Sequence, residues 1–256
     1  MRCGLNFFPS CHPEFKSGEA YFREALDLCA LADSLGYATV KIVEHYFRAY
    51  RGYSPSPLIF LAAAAQRTRH IRLVTGAVIP AFHHPLKLAA ELAYGLMFVP
   101  YLSDFADLAQ KIALYRRTYR ATTNGREPPP PSMALHLYMA ASTAQARREA
   151  KPYLEQYMAI FQDSAAAWNG RPSSQYRGYE LLQQRLQALT YNRVLAEGRA
   201  LIGDSHAVLD QLHHLRQQFG PIQPEMQIMF GNMDYTQARR SVELFGQEVL
   251  PAVEGL

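Results

Sequence analysis

Residues 1–93 set a short apolar run beside a helix-length amphipathic run three times over, and this alternation excludes most architectures. CGLNFF, 3–8, has the length and apolar density of a buried strand. After a loop from Pro9 to Ser17, residues 18–35 place Tyr21, Ala25, Leu28, Leu31, Ala32 and Leu35 at helical spacing. Gly36 then stands where a helix C-terminus favours a residue free to take positive φ. ATVKIV, 38–43, is the second strand, followed by a helix at about 56–67. IRLVTGAVI, 71–79, is the third, and the next helix starts near Pro85. Strict alternation implies parallel strands, because a parallel return needs a crossover helix.

After residue 95 the rhythm loosens. GLMFV (95–99), LHLYMA (135–140) and Met226 to Phe230 read as strands, which brings the total to six. Helices are expected at 104–120, 143–161, 179–196, 203–219 and 234–249, the fourth capped by Asp204 or Ser205. The fold class is α/β, an abbreviated (β/α) TIM-barrel-like fold with about six strands in one domain over 1–256. A closed eight-stranded barrel takes about 250 residues. The length fits, but two strands are missing. The oddest stretch is HHPLKLAAELAYGLMFV, 83–99, where a helix runs into a strand with only Gly95 as a breaker.

Composition narrows the function classes. Hydrophobic residues make up 49% and charged residues 19%, enough for a sizeable core and too apolar for a disordered chain. The net charge of +4 comes from scattered Lys and Arg, so no nucleic-acid partner is expected. No apolar run approaches the length of a membrane span, and MRCGLNFFPSCHPEF has Pro and His where a secretory signal needs an apolar run. Cys3, Cys11 and Cys29 are odd in number and irregular in spacing, the mark of reduced thiols in a cytoplasmic protein. His12 with Glu14, and His45 with Glu44, lack a third ligand at metal-site spacing, so no metal is expected.

Chemistry concentrates where strands end. Glu44 and His45 follow the second strand directly, and parallel α/β folds place ligands at the C-terminal ends of their strands. A histidine there serves as acid, base or donor near neutral pH, or packs against Tyr46 and Phe47. Asn6 and Thr75 either point into a polar pocket or fill ordinary interior positions. Gly76-Ala77-Val78 ends the third strand with small side chains, which let a flat ligand approach the backbone or suit tight packing. His83 and His84 stand at a helix start, and His213 and His214 inside an amphipathic helix read as surface residues. No Gly-rich phosphate loop and no nucleophile elbow occurs.

Three longer stretches carry a resemblance. EALDLCALADSLGYATVKIVEHYF (24–47), SPSPLIFLAAAAQRTRHIRLVTGAVIPAFHHPLKLAAELA (54–93) and SVELFGQEVLPAV (241–253) resemble the bacterial luciferase-like family of flavin-dependent monooxygenases. The resemblance implies a barrel that takes reduced FMN from a flavin reductase and uses O2 to oxidise an organic substrate. It implies His45, with Glu44, as the catalytic position, and Asn6, Thr75, Ala77 and Val78 as cofactor-binding positions. Ala77-Val78 matches a bulge against the flavin ring, often with a non-prolyl cis peptide. A homodimer through the helices around strands two and three is implied as well. Ala93-Tyr94-Gly95-Leu96 departs from the family's order: it resembles a much later segment, as though the fourth and fifth strands were deleted near 93–95. In the family that region carries most contacts to the FMN phosphate. The alternative to an active monooxygenase is therefore a catalytically degenerate homologue with a flavin- or ligand-binding role. The gap must be closed by rearranged strands, by helices of the second half, or by a partner subunit.

Overall fold

The structure is a computed structural model, and it describes residues 1–10, 13–44, 56–76, 95–101, 103–166 and 182–253. Seven strands among them form one parallel sheet: β1 (Gly4–Phe7), β2 (Thr39–Ile42), β3 (Arg72–Thr75), β4 (Met97–Phe98), β5 (Ser132–Met139), β6 (Ala200–Gly203) and β7 (Gln223–Gln227). The order across the sheet is β3-β2-β1-β7-β5-β4, and β6 pairs with β5. Among the described residues β3 does not meet β4 or β6, so the sheet is TIM-barrel-like but not closed.

As far as the described residues reach, the first half follows the expected rhythm; the helix expected from Pro85 and the end of the third strand at 77–79 lie outside them. α1 (Gly18–Ser34) is capped by Ser17, whose side chain accepts from the Ala20 amide, and it buries Tyr21, Ala25, Leu28, Cys29 and Ala32. Gly36 takes φ +83 and turns the chain into β2. α2 (Pro57–Ala65) brings Phe60 edge-on to Phe7, 5.6 Å between centroids, so the row Phe7, Ile42 and Thr75 faces the helices. The Asp33 carboxylate, at the end of α1, accepts the backbone N–H groups of Arg69, His70 and Ile71 at 2.6–2.8 Å and so fixes the start of β3.

The second half departs from it in four ways. β6 was not foreseen, because four residues between two helices give too short an apolar run to stand out. The last strand lies at Gln223–Gln227, not at 226–230, because its alternation of polar and apolar residues reads as loop until its polar side is known to be buried. The helix expected over 179–196 is split into α5 (Leu182–Gln187) and α6 (Tyr191–Ala196), where Thr190 caps a fresh start by accepting the Arg193 amide. The final helix, α8 (Tyr235–Leu244), loosens into a π-helical turn at Phe245–Val249 before α9 (Leu250–Val253). Elsewhere the expectations hold to within a few residues: α3 spans Phe105–Thr122, α4 Thr143–Ala166 and α7 Ser205–Phe219, with Asp204 as the cap of α7.

The order of the last three strands reshapes the barrel. The step from β5 through α4 to β6 runs away from β1, whereas the step from β6 through α7 to β7 runs back past β5. Right-handed crossovers then put α4 and α7 on opposite faces of the sheet. Contacts agree: α4 lies over the face that carries His136 and Tyr138, with Tyr157 4.2 Å from the His136 ring and Tyr153 stacked on Tyr138. A closed barrel keeps all its helices outside. Here a helix of the second half lies over the face that carries His136 and Tyr138, and the sheet stays open among the described residues.

Candidate active site

The concave face is polar at its centre. Residues in register on parallel strands face the same way, so Gly4, Glu225 and Ala134 form one row and Asn6, Gln227 and His136 the next, nearer the C-terminal ends. Glu225 is fully buried in the lower row. Its carboxylate accepts from Lys41 Nζ at 2.8 Å, Thr39 Oγ1 at 2.9 Å and Gln223 Nε2 at 2.5 Å. Lys41 also donates to Ser132 Oγ at 2.6 Å, so it reaches from β2 across β1 and β7 to β5. Burial pushes the Glu225 carboxyl above the usual range, against the pull of Lys41 and the hydrogen bonds from Lys41, Gln223 and Thr39. Gly4 leaves the space: a Cβ there would lie 1.9 Å from Thr39 Oγ1 and 2.3 Å from Glu225 Oε2.

The upper row is buried but unpaired. Asn6, Gln227 and His136 are all 0% exposed. Asn6 Nδ2 reaches only the Met97 sulfur, at 3.9 Å, and Asn6 Oδ1, both polar atoms of Gln227 and His136 Nε2 have no hydrogen-bond partner. A buried polar atom left unpaired costs about 1–3 kcal/mol, so a ligand or ordered water is the natural complement. His136 Nδ1 shares a hydrogen bond with the Tyr101 hydroxyl, and Tyr157 and Phe230 pack edge-on to its ring. Burial pushes its pKa down to about 3, so the ring is neutral at physiological pH.

The residues expected from the sequence are partly brought together. Asn6 lies on the concave face. Thr75 ends β3 in the row of Phe7 and Ile42, on the opposite face from Asn6. Glu44 lies two residues beyond β2 and is exposed. His45, Ala77, Val78, His83 and His84 lie outside the described residues, and so does the peptide between Ala77 and Val78. Among the described residues no three His, Cys, Asp or Glu gather as a metal site. Lys41, Glu225, Gln227 and His136 were missed. The alternation in QPEMQ, with polar residues at every second position, is the only local sign of a polar interior.

Two cavities open elsewhere. One, of about 390 Å³, is lined by Tyr101, Asp104, Asp107, Arg185, Arg193 and Arg199, where β4 ends and β6 begins. The other, of about 460 Å³, lies at the N-terminal ends of β1–β3 beside Arg2, Asp33, Tyr37, His70 and Arg72.

A curled parallel sheet with polar residues gathered on its concave side defines a protein of the TIM-barrel-like class. A model of the luciferase-like monooxygenase family matches residues 1–94 and, in a second stretch, 86–221. The chain belongs to that family. The two stretches meet at the helix-to-strand junction where the sequence departs from the family order. The oxygenase component of the flavin-dependent trigonelline monooxygenase of Acinetobacter baylyi is 38% identical over 72 residues, which are 28% of this chain and 20% of that protein. The matched stretches span only about a fifth to a quarter of the curated relatives' length. The crystal structure of monooxygenase RslO1 from Streptomyces bottropensis superposes with a TM-score of 0.81 at 25% identity, covering 98% of this chain and 99% of that one. The oxygenating constituent of 3,6-diketocamphane monooxygenase from Pseudomonas putida, solved with FMN, gives 0.74 at 13% identity over 98% of each chain, a likeness of fold.

The upper row suits a flavin. The pyrimidine edge of the ring alternates donors and acceptors, and the carboxamide of Asn6 offers one of each. Its orphaned Oδ1 therefore fits the group as an acceptor for a ring N–H.

Proposed function

We propose that this chain is an FMN-dependent monooxygenase, the oxygenase component of a system in which a separate reductase delivers reduced FMN and O2 oxidises an organic substrate. The observation that carries this reading is the family match through β1, β2 and β3 together with the unpaired polar row beside them. The naming of the Acinetobacter relative as an oxygenase component supports the separate reductase. Reduced FMN supplies the two electrons that activate O2. The chain's own residues orient the ring and move protons. Asn6 holds the polar edge of the ring from β1. His45, just past the end of β2, holds or relays a proton at its imidazole, and Glu44 beside it sets the local charge. Ala77 and Val78, beyond β3, back the ring with small side chains. Thr75, facing the helices, leads into that pair through its backbone. We read residues 1–256 as one domain with an internal deletion near 93–95.

Leu58 and Ile59 on α2 are 67% and 72% exposed, an apolar surface that suits a homodimer through this helix. No described helix is long and apolar enough to cross a membrane. The buried free thiols of Cys3 and Cys29 suit a cytoplasmic setting.

The test is a spectroscopic titration with FMN, followed by oxygen consumption with reductase-generated reduced FMN. Binding at micromolar FMN and oxygen uptake lost in His45→Ala, with binding retained, are the expected results. A protein that takes up no FMN at that level refutes the reading. Binding without turnover assigns the chain to the degenerate, ligand-holding alternative. Ile59→Glu is expected to halve the mass measured by light scattering if α2 forms the dimer.

A further inference from the structure

The unpaired row does not end at the sheet. Asn6, Gln227 and His136 sit on three neighbouring strands in direct register, and neighbouring strands lie about 4.8 Å apart. At the β5 end the row continues through the His136–Tyr101 hydrogen bond. Tyr101 is itself a wall of the 390 Å³ cavity that carries Arg185, Arg193 and Arg199. The row therefore runs from that cavity, through the core, to the strand that is proposed to hold the flavin. The row beneath it, one layer lower on the same face, is fully hydrogen-bonded around Glu225. Four unpaired atoms fall together in this one register row, whereas those on Ser10, Gln211, Asn232 and Gln237 lie apart from it.

We infer that Asn6, Gln227 and His136 line a hydrated seam whose internal waters join the Tyr101 wall of the arginine-lined cavity to the flavin end of β1, giving protons a route through the core. Carboxamides do not ionise in this role; they hold water, each accepting with oxygen and donating with nitrogen. A neutral imidazole adds one donor and one acceptor, and burial keeps His136 neutral. A proton entering on the Tyr101 side is matched by one leaving at the Asn6 side, so no net charge is stored. A buried water is retained where otherwise unpaired polar groups give it two to four hydrogen bonds.

The catalytic use of the seam rests on the activity proposed above; its hydration does not, and the two are tested separately. The side-chain amide of Gln227 is assigned in 15N-labelled protein by its absence in Gln227→Leu, then followed after transfer to D2O with and without low urea. Exchange within minutes, unchanged by low urea and faster still in Tyr101→Phe, is the expected result. Exchange only in step with the amides of the core strands means a dry row and overturns the proposal. In turnover with reduced FMN, Gln227→Leu is expected to lose about tenfold in rate, with an altered solvent isotope effect. Unchanged turnover overturns the relay. Absence of turnover in the unmodified protein refutes the activity, while amide exchange still decides the seam.

Discussion

Lys41→Met offers the sharpest check on the concave core. The side chain keeps its length but loses its charge, and the Glu225 carboxylate loses the 2.8 Å ion pair while remaining fully buried. Breaking a buried pair from one side destabilises by about 3–5 kcal/mol, out of a typical total of about 5–15 kcal/mol. For a chain of this length that is a fall in melting temperature of roughly 6–20 °C. The pH dependence follows from the sign of the shift. Glu225 already has a raised carboxyl pKa, and Lys41 is the largest influence holding it down. Removing Lys41 raises it further. A carboxyl that is harder to ionise when folded gives most stability below its unfolded value, and that stability is lost as pH rises through the folded value. The deficit of the variant is therefore small near the unfolded carboxyl value of about 4.3 and grows as pH rises above it. The double variant Lys41→Met, Glu225→Gln should recover part of the loss at neutral pH. Urea denaturation across that range measures all of this. A loss below about 1 kcal/mol with no trend in pH would place the pair in solvent and refute the argument.

Gly4→Ala should destabilise by roughly 1–3 kcal/mol in urea, because its Cβ would meet Thr39 Oγ1 at 1.9 Å. Burial alone would raise the Glu149 carboxyl, but hydrogen bonds from Arg240, Gln145 and Tyr138 outweigh it and hold the pKa at about 2. The stability it lends is present above the unfolded value of about 4.3 and lost as pH falls towards 2. Arg240→Met should remove most of that acid-side loss in melting curves. Asp33→Asn leaves one acceptor oxygen where two now serve three backbone amides, so hydrogen exchange at Arg69, His70 and Ile71 should quicken.

Local features were readable in the sequence and long-range ones were not. The α1 stripe and its Gly36 terminus depend on residues within a few turns of each other, and the Asp204 cap on residues three apart. The Lys41–Glu225 pair joins residues 184 positions apart, and nothing near either residue marks the other. Lys41 in ATVKIV reads as the polar tooth of a strand facing water; it is buried because the sheet curls. The same curl hides Gln227 and His136, so the proposed seam had no signature in the sequence. Family likeness pointed to Glu44-His45 and Ala77-Val78, of which only Glu44 lies among the described residues, and placed no weight on β7, where the buried Glu225 resides. The six-strand count fell short because pairing, not composition, makes Ala200–Gly203 a strand.

The position of β7 has a consequence during synthesis. It is the last of the described strands to be made, yet it is the one that joins β1 to β5. Until residues 223–227 leave the ribosome, β1-β2-β3 and β5 with its partners are two separate sheets, each showing an unpaired inner edge. A nascent chain stopped before Gln223 therefore has two sticky borders and no means of zipping them together. Its most dangerous interval for misassembly comes just before residues 223–227 emerge, when a holding chaperone would matter most.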